Sequence, residues 1–233
     1  MATSPELAAP GVFRVDAIRR SNAINVLLLE NDDGWTLVDT GTEKSVGRIR
    51  DAIAALGSGS DDLKRIFLTH QHNDHIGGLQ GLLEWAPRAE VGASPHEAEV
   101  ISGRREKDPF ANPVLRHLTR NMSLPTAPVG KVLREGDLVS GFRVIATPGH
   151  TRGHVSLLRD GDGLLFTADA FGCSPRKLRV GIRKAVCNDP SEAMRSAEKL
   201  LAEEFSTVIF AHGETLRNGA KERLRKVVAR SRY

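Results

Sequence analysis

Apolar residues in the first third of the chain recur at two spacings, one typical of strands and one typical of helices. Short apolar runs predict strands at 12–17, 23–30, 35–39, 65–69 and 90–93. Apolar residues at helical spacing from Val46 to Leu56 predict a helix that ends at Gly57, and residues 77–85 predict a second helix. The segment therefore mixes strands and helices, which indicates an α/β protein.

The second half of the chain repeats this arrangement. Apolar runs predict strands at 132–134, 142–147, 154–159, 164–168 and 207–211. Asp189 and Pro190 predict a helix start, and a last helix is expected from about Gly219. Two sheet-rich halves, each covered by helices, favour a four-layer αββα sandwich (α+β in its segregation of strands). A doubly wound parallel sheet is the alternative, and it fits hairpin-like strand runs less well.

Two segments fall outside the predicted core. Residues 1–11 are rich in Pro and Ala and are expected to form a flexible leader. At about 101–128, prolines interrupt short helical pieces, which predicts an inserted flap. We therefore expect a single domain over 12–233 that carries one flap.

The composition of the chain indicates in which cellular compartment the protein is expected. The chain has 233 residues, of which 40% are hydrophobic, and can bury a full core. Apolar runs stay below the roughly 18 residues of a membrane span, and the N-terminus lacks the features of a signal peptide. A cytoplasmic protein without membrane association is therefore expected. Cys173 and Cys187 are too few for a disulfide framework and are interpreted as buried or incidental thiols.

Charge gives a weaker indication of partners. The formal net charge is +4, and a basic cluster supplies the candidate substrate contacts Arg176, Lys177, Arg179 and Arg183. These residues permit an anionic small-molecule substrate, while a solvated surface is the alternative. Nucleic acid is not an expected partner, because basic residues are not interleaved with aromatic ones. The sequence does not indicate the oligomeric state.

Three of the eight histidines lie within six positions, directly after the strand predicted at 65–69. His70 and His72 can share one metal ion, while Asp74 and His75 can turn toward a second. Imidazole and carboxylate suit zinc and similar cations. Exposed or core histidines are the alternative, but this cluster at one strand end favours a metal site.

Other candidate ligands follow other predicted strands. They are His150 and His154 after 142–147, Asp169 after 164–168, and His212 after 207–211. A metal ion needs three or four ligands, and loops at strand ends are where rigid scaffolds place functional groups. Their shared placement indicates one site.

These motifs together resemble those of a known family. The segment from His70 to His75 resembles the H-x-H-x-D-H signature of the metallo-β-lactamase superfamily. Thr147 to Thr151 resembles its second His motif, Asp169 its bridging aspartate, and residues 211–213 its last His motif. The order and separations agree from about residue 12 to 230.

The resemblance implies an αββα sandwich with two divalent metal ions, zinc in the first place and iron or manganese as alternatives. It implies ligand sets of His70, His72 and His150 for one ion, Asp74, His75 and His212 for the other, and Asp169 for both. Asp39, in a V-D-T-G motif, and His154 are implied to orient the ligands. A capping or turn role for Asp39 and a packing role for His154 are the alternatives.

Two bridged metal ions predict hydrolysis. They lower the pKa of a shared water from about 15.7 toward about 7, and the resulting hydroxide attacks a carbonyl or phosphoryl centre. Asp74 is expected to be catalytic, because it can accept a hydrogen bond from the nucleophile and later carry a proton.

The substrate class follows from smaller features. His75 and Asp169 differ from lactamase branches with Cys, Arg or Ser at such positions, so a β-lactam is not expected. The glyoxalase II-like branch is more similar, although its C-terminal glutathione-binding helical region is not expected after the last predicted helix. The single tyrosine, Tyr233, weakens a lactonase assignment. A thiol of pKa about 8.5 leaves without an acid, which favours thioesters and activated esters or lactones over amides.

Two other reactions of the superfamily stay open. A persulfide dioxygenase uses one iron, held by two His and an Asp, and the seven ligands include such a set. A phosphodiesterase or RNA-processing nuclease is compatible with the basic character of the chain. A non-catalytic metal-binding role is disfavoured, because no ligand of the motif set is missing.

Overall fold

A computed structural model describes residues 4–173, 177–181 and 184–231. The chain divides into two compact units. The first comprises Met1–Glu106 and Leu124–Leu133, and the second comprises Lys107–Ser123 and Arg134–Tyr233. Each unit has its own sheet, and the two are described in turn.

The first unit is built on a seven-stranded sheet whose strands are neighbours in chain order. They are β1 (Glu6–Ala9), β2 (Val12–Asp16), β3 (Asn25–Asn31), β4 (Gly34–Val38), β5 (Leu63–Leu68), β6 (Glu90–Ala93) and β7 (Lys131–Val132). The sheet is antiparallel from β1 to β4 and parallel from β4 to β7.

The helices of this unit lie in the connections between its parallel strands. They are α1 (Val46–Ala55), α2 (Asn73–Ile76), α3 (Leu79–Trp85) and α4 (Pro95–Ile101), with 3₁₀ turns at Glu43–Ser45 and Ser60–Asp62. The apolar face of α1 packs in the core of the unit, where Ile49 and Ile53 are fully buried beside Leu37. Burial of each isoleucine stabilises the unit by roughly 1.5–3 kcal/mol.

The second unit contains a five-stranded sheet in the order β14-β11-β10-β9-β8 and a separate hairpin of β12 and β13. These strands are β8 (Leu138–Val139), β9 (Phe142–Ala146), β10 (Val155–Arg159), β11 (Leu164–Phe166), β12 (Phe171–Cys173), β13 (Leu178–Val180) and β14 (Thr207–Ile209). β14 pairs with β11 in parallel, and the other pairs are antiparallel.

The helices of the second unit are α5 (Pro113–Thr119), α6 (Pro190–Ala202) and α7 (Ala220–Ser231), with a 3₁₀ turn at Lys184–Val186. The predicted cap of α6 is confirmed, because Asp189 accepts from the amides of Ser191 and Glu192 at 2.9 and 3.0 Å. Leu200 of α6 and Leu224 of α7 are fully buried in one apolar cluster.

The N-terminal segment differs from its prediction. Instead of a flexible leader throughout 1–11, Glu6–Ala9 forms β1 and pairs with β2. The side chain of Glu6 forms an ion pair with Arg14, whose guanidinium also donates to Asn25 at 2.7 Å. This polar anchor offsets the weak strand propensity of the segment.

The region predicted as one flap is also divided. Residues 107–123, with α5, belong to the second unit, while 101–106 and 124–128 belong to the first. Asp108 accepts from the amide of Arg152 at 2.7 Å, and Asn188 donates to the carbonyl of Pro109 at 2.7 Å. A single domain over 12–233 stays a prediction. Among the described residues, every helix is too short or too polar to cross a membrane.

Candidate metal centre

The histidine cluster of the first unit begins where β5 ends. The rings of His70 and His75 lie 3.9 Å apart between centroids, and those of His70 and His72 lie 4.8 Å apart. His70 and His75 are buried, whereas His72 and Asp74 are half-buried. The first four predicted ligands thus lie on one short segment at the end of β5, and α2 starts directly after His72.

Asp39 fixes this segment. Its carboxylate accepts from the amide of Thr69 at 2.8 Å, from the Thr69 hydroxyl at 2.8 Å, and lies 2.8 Å from Nδ1 of His75. Asp39 has a φ of +62°, which holds the end of β4 in a left-handed turn that aims the carboxylate at the segment. Asp39 therefore contacts His75, one of the predicted ligands, directly, while its orienting role stays a prediction.

The hydrogen-bond partners of the His70 and His75 rings indicate which ring nitrogen carries the proton. The Thr69 hydroxyl has one proton, which it donates to Asp39, so it accepts from Nδ1 of His70 at 3.1 Å. Nδ1 of His75 likewise donates to Asp39. With its proton on Nδ1, the neutral form of either ring carries its lone pair on Nε2, which is the form in which imidazole binds a metal ion.

A close backbone approach supports the turn after the cluster. A Cβ on Gly77 would lie 2.3 Å from the carbonyl oxygen of Asn73 and 2.9 Å from Cα of Thr42. Thr40 donates to the carbonyl of His75 through both its amide and its hydroxyl, at 2.6 and 2.8 Å. The loop that carries Asp39 and the cluster are thus tied together by backbone as well as by side chains.

In the second unit, Asp169 lies between two histidines. One carboxylate oxygen is 3.1 Å from Nε2 of His150, and the other is 3.5 Å from Nε2 of His212. Asp169 and His150 are almost completely buried, and His212 is half-buried. The three predicted ligands of this half therefore converge around one carboxylate.

His154 anchors the backbone of Asp169. The amide of Asp169 donates to Nε2 of His154 at 3.0 Å, so Nε2 has no proton and Nδ1 carries it. Nδ1 donates to Thr147, whose Oγ1 is 2.8 Å away. The Thr147 hydroxyl in turn contacts Ser156, which donates to the carbonyl of Thr167 at 3.0 Å. Each proton in this buried chain has a defined position.

The segment before α6 forms backbone hydrogen bonds with the loop that carries His150. The amides of Asn188 and Asp189 donate to the carbonyls of His150 and Gly149 at 3.0 and 2.8 Å. Gly149 has a φ of +122°, and a Cβ there would lie 2.1 Å from the amide nitrogen of Ala193. Only glycine allows this approach.

Cys187 lies in the same segment. Its sulfur is 3.9 Å from Nδ1 of His150 and 3.5 Å from the carbonyl oxygen of Gly181. Burial raises the pKa of the Cys187 thiol to about 12, and the carboxylates of Asp169 and Asp189 act in the same direction. The side chain is therefore a neutral thiol at neutral pH.

The predicted substrate contacts are only partly described. Arg176 and Arg183 lie outside the described residues. Lys177 is exposed and Arg179 is half-buried, and both line a cavity of about 760 Å³ together with Lys184 and Arg230. Substrate contact by these residues stays a prediction.

The donor set fits divalent transition metals. The first unit offers three imidazoles and one carboxylate, and the second offers two imidazoles and one carboxylate. Each set combines borderline nitrogen ligands with hard oxygen ligands, as zinc, iron and manganese sites do. The rings of His70 and His75 are held in the tautomer that metal binding requires. The residues present therefore fit a metal site.

Sequence reasoning missed several supporting residues. Thr69 precedes the first ligand motif and Thr147 is the first residue of the second, and each accepts from a histidine ring. A threonine at a strand end carries no special signal for this role. Gln71, within the first motif, donates to the fully buried Glu97 at 3.1 Å. Cys187 is 37 positions from His150 in the chain, so only the fold brings them together.

A model of the metallo-beta-lactamase superfamily matches residues 20–212. The chain therefore belongs to this superfamily, as the motifs predicted. Its α/β fold class is confirmed by solved structures. It is similar to a metallo-beta-lactamase of Cronobacter sakazakii (25% identity, TM-score 0.70, 99% of this chain and 92% of that chain). It is also similar to a metallo-beta-lactamase family protein of Thermus thermophilus (27%, 0.69, 96% and 80%).

Several relatives of the chain have names that describe an activity. The chain is 32% identical over 178 residues to the "Probable metallo-hydrolase YflN" of Bacillus subtilis (strain 168), covering 70% of this chain and 65% of that protein. It is 28% identical over 215 residues to a hydroxyacylglutathione hydrolase of Vibrio campbellii, covering 90% of this chain and 69% of that protein. The chain thus spans about two thirds of the length of each, and its superfamily is one of metallo-hydrolases.

Proposed function

We propose that this protein is a dinuclear metal-dependent hydrolase of carboxylic thioesters, esters or lactones. The observation that carries the proposal is the position of Asp169, which turns one oxygen toward His150 and the other toward His212. A carboxylate whose two oxygens each lie near a different imidazole is suited to bind two cations, one on each side.

The proposed ligand sets follow the superfamily motifs. They are His70, His72 and His150 for one ion, Asp74, His75 and His212 for the other, and Asp169 for both. Zinc is the proposed metal, because most of these ligands are imidazoles and zinc has no redox chemistry. The tautomers of His70 and His75 support the assignment of these two residues as metal ligands.

Two bound cations would lower the pKa of a water to about 7 and polarise the carbonyl group that is cleaved. The chain's own residues would do the rest. Asp39 keeps His70 and His75 in their metal-binding tautomer, the former through Thr69. His154 holds the backbone of Asp169. Asp74, which is half-buried, would accept a hydrogen bond from the nucleophile and carry its proton toward the leaving group.

A thioester is the preferred substrate class within this proposal. The similarity to a hydroxyacylglutathione hydrolase supports it, and a thiolate departs without a strong general acid. The basic side chains of Lys177 and Arg179 would favour an anionic small molecule. We propose no particular thiol carrier and place the enzyme in the cytoplasm.

A substrate panel tests this function. Purified, metal-loaded protein would be assayed with an acyl thioester, a lactone, a p-nitrophenyl ester, bis-p-nitrophenyl phosphate and a persulfide under oxygen. We expect turnover of at least one carboxylic substrate, at least 100-fold reduced in Asp74→Asn and unchanged in Asp51→Asn, which alters an exposed carboxylate of α1. Oxygen consumption on the persulfide, or phosphodiester cleavage faster than every carboxylic substrate, would contradict the proposal.

A further inference from the structure

The imidazole of His150 has two distinct sides. Nε2 is 3.1 Å from Asp169, whereas Nδ1 lies beside the sulfur of Cys187 at 3.9 Å. In the proposed site Nε2 would face the metal ion. Nδ1 must then carry the ring proton, and a protonated Nδ1 in a buried position needs an acceptor.

The thiol of Cys187 is oriented to be that acceptor. Its sulfur is 3.5 Å from the carbonyl oxygen of Gly181, to which it donates its one proton. The sulfur lone pairs are then available to the imidazole. Backbone hydrogen bonds hold the two groups in register, because the amide of Asn188, next to Cys187, donates to the carbonyl of His150 at 3.0 Å.

We infer that Cys187 is a positioning residue that accepts a hydrogen bond from Nδ1 of His150 and so directs Nε2 toward the metal. The inference rests on the proposed function, in which His150 is a ligand. A neutral acceptor suits this place, because Asp169 already supplies a carboxylate on the other side of the ring. A second buried carboxylate here would repel the first.

Packing alone is the alternative role for Cys187. The side chain is buried and also lines the cavity that contains Lys177 and Arg179. Two substitutions separate the roles. Cys187→Val stays apolar and removes the acceptor, although it is larger by a methyl group, whereas Cys187→Ser keeps an acceptor and reduces the volume. A purely structural residue would tolerate valine better than serine.

The test measures zinc affinity by chelator competition and the His150 ring by ¹⁵N NMR of the zinc-loaded protein. We expect Cys187→Val to weaken zinc binding by about 10–100-fold and to shift the Nδ1–H resonance of His150. Cys187→Ser should bind zinc more tightly than Cys187→Val. Val228→Ala, which alters the buried face of α7, is the control and should retain wild-type affinity.

The outcomes distinguish this inference from the function on which it rests. Wild-type affinity and an unshifted His150 resonance in Cys187→Val would overturn the positioning role, as would weaker binding by the serine than by the valine variant. If the wild-type protein binds no metal, the proposed function fails first. If Cys187→Val does not fold, the serine variant against Val228→Ala decides. Near wild-type affinity with a shifted Nδ1–H resonance of His150 supports the role, because the acceptor has changed from sulfur to oxygen. An unshifted resonance, or a loss of affinity of about 10-fold, contradicts it.

Discussion

The backbone amide of Asp169 donates a hydrogen bond of 3.0 Å to Nε2 of His154. Because His154 is fully buried and its other nitrogen donates to Thr147, the ring has a single orientation. Asp169 follows Ala168, whose φ of +43° places the chain in a sparsely populated conformation. The histidine therefore holds the backbone of the proposed bridging ligand in a turn that it would not otherwise favour.

This contact predicts a graded response to substitution. His154→Ala should lower metal affinity by about 10–100-fold, because the carboxylate of Asp169 is no longer held in place. His154→Gln should retain more affinity, since its amide can accept from Asp169 and donate to Thr147. Chelator competition on both variants is the measurement. Equal losses in the two variants would contradict this role, because a retained acceptor would then make no difference to metal affinity.

Asp39 predicts a coupled loss of stability and metal binding. Asp39→Asn replaces one acceptor oxygen with an NH2 group, which is a donor and cannot accept from Thr69 and His75. The unpaired buried donors should cost about 2–4 kcal/mol in the metal-free protein, and metal affinity should fall at least about 10-fold. Urea unfolding with EDTA and zinc titration test the two parts. Asp51→Asn is the control, and equal behaviour of the two variants would contradict the role of Asp39.

A side chain at position 149 is expected to clash with α6 and to destabilise the protein. Gly149→Ala forces a methyl group against the backbone of α6 at a positive φ, which should destabilise the protein by at least about 3 kcal/mol. Gly136 also has a positive φ but open space around it, so Gly136→Ala should cost only about 1 kcal/mol. Thermal unfolding of both variants distinguishes the clash with α6, which only Gly149→Ala has, from the cost of a positive φ, which both variants share. Similar unfolding temperatures would show that α6 yields to the methyl group.

Arg143 predicts a pH-dependent contribution to stability. Its hydrogen bonds hold the pKa of Asp160 below the usual 3.8. A depressed carboxyl pKa stabilises the folded state above the unfolded pKa, and this stabilisation is lost as pH falls through the lower, folded pKa. Arg143→Ala should therefore cost about 1 kcal/mol at pH 7 and progressively less below about pH 3.8. Urea unfolding with chelator at pH 7 and pH 3 checks the sign, and a larger cost at pH 3 would refute it.

The strands that carry the ligands could be predicted from the sequence because each is an apolar run that ends at a polar motif. β5 ends at Leu68 before His70, and β9 ends at Ala146 before His150. Local pattern and local structure agree at these places, so the positions of the ligand motifs follow directly.

The remaining features depend on long-range contacts. β1 is short and without strong strand propensity, and its place is fixed by the ion pair of Glu6 with Arg14. The hairpin of β12 and β13 has strands of three residues, too short for a periodic signal. The contacts of Asp39 with Thr69 and of Cys187 with His150 join residues 30 and 37 positions apart. Such pairings follow from the fold rather than from any local pattern.

The central claim is that Asp169 bridges two metal ions in a hydrolytic site. Its most direct test is the metal content of purified wild-type protein and of Asp169→Ala, measured with turnover of an acyl thioester. A bridging Asp169 predicts close to two zinc equivalents in the wild type, and loss of the second equivalent and of turnover in the variant. A wild type with one tightly bound iron, or a variant that keeps two metal ions and full turnover, would contradict it.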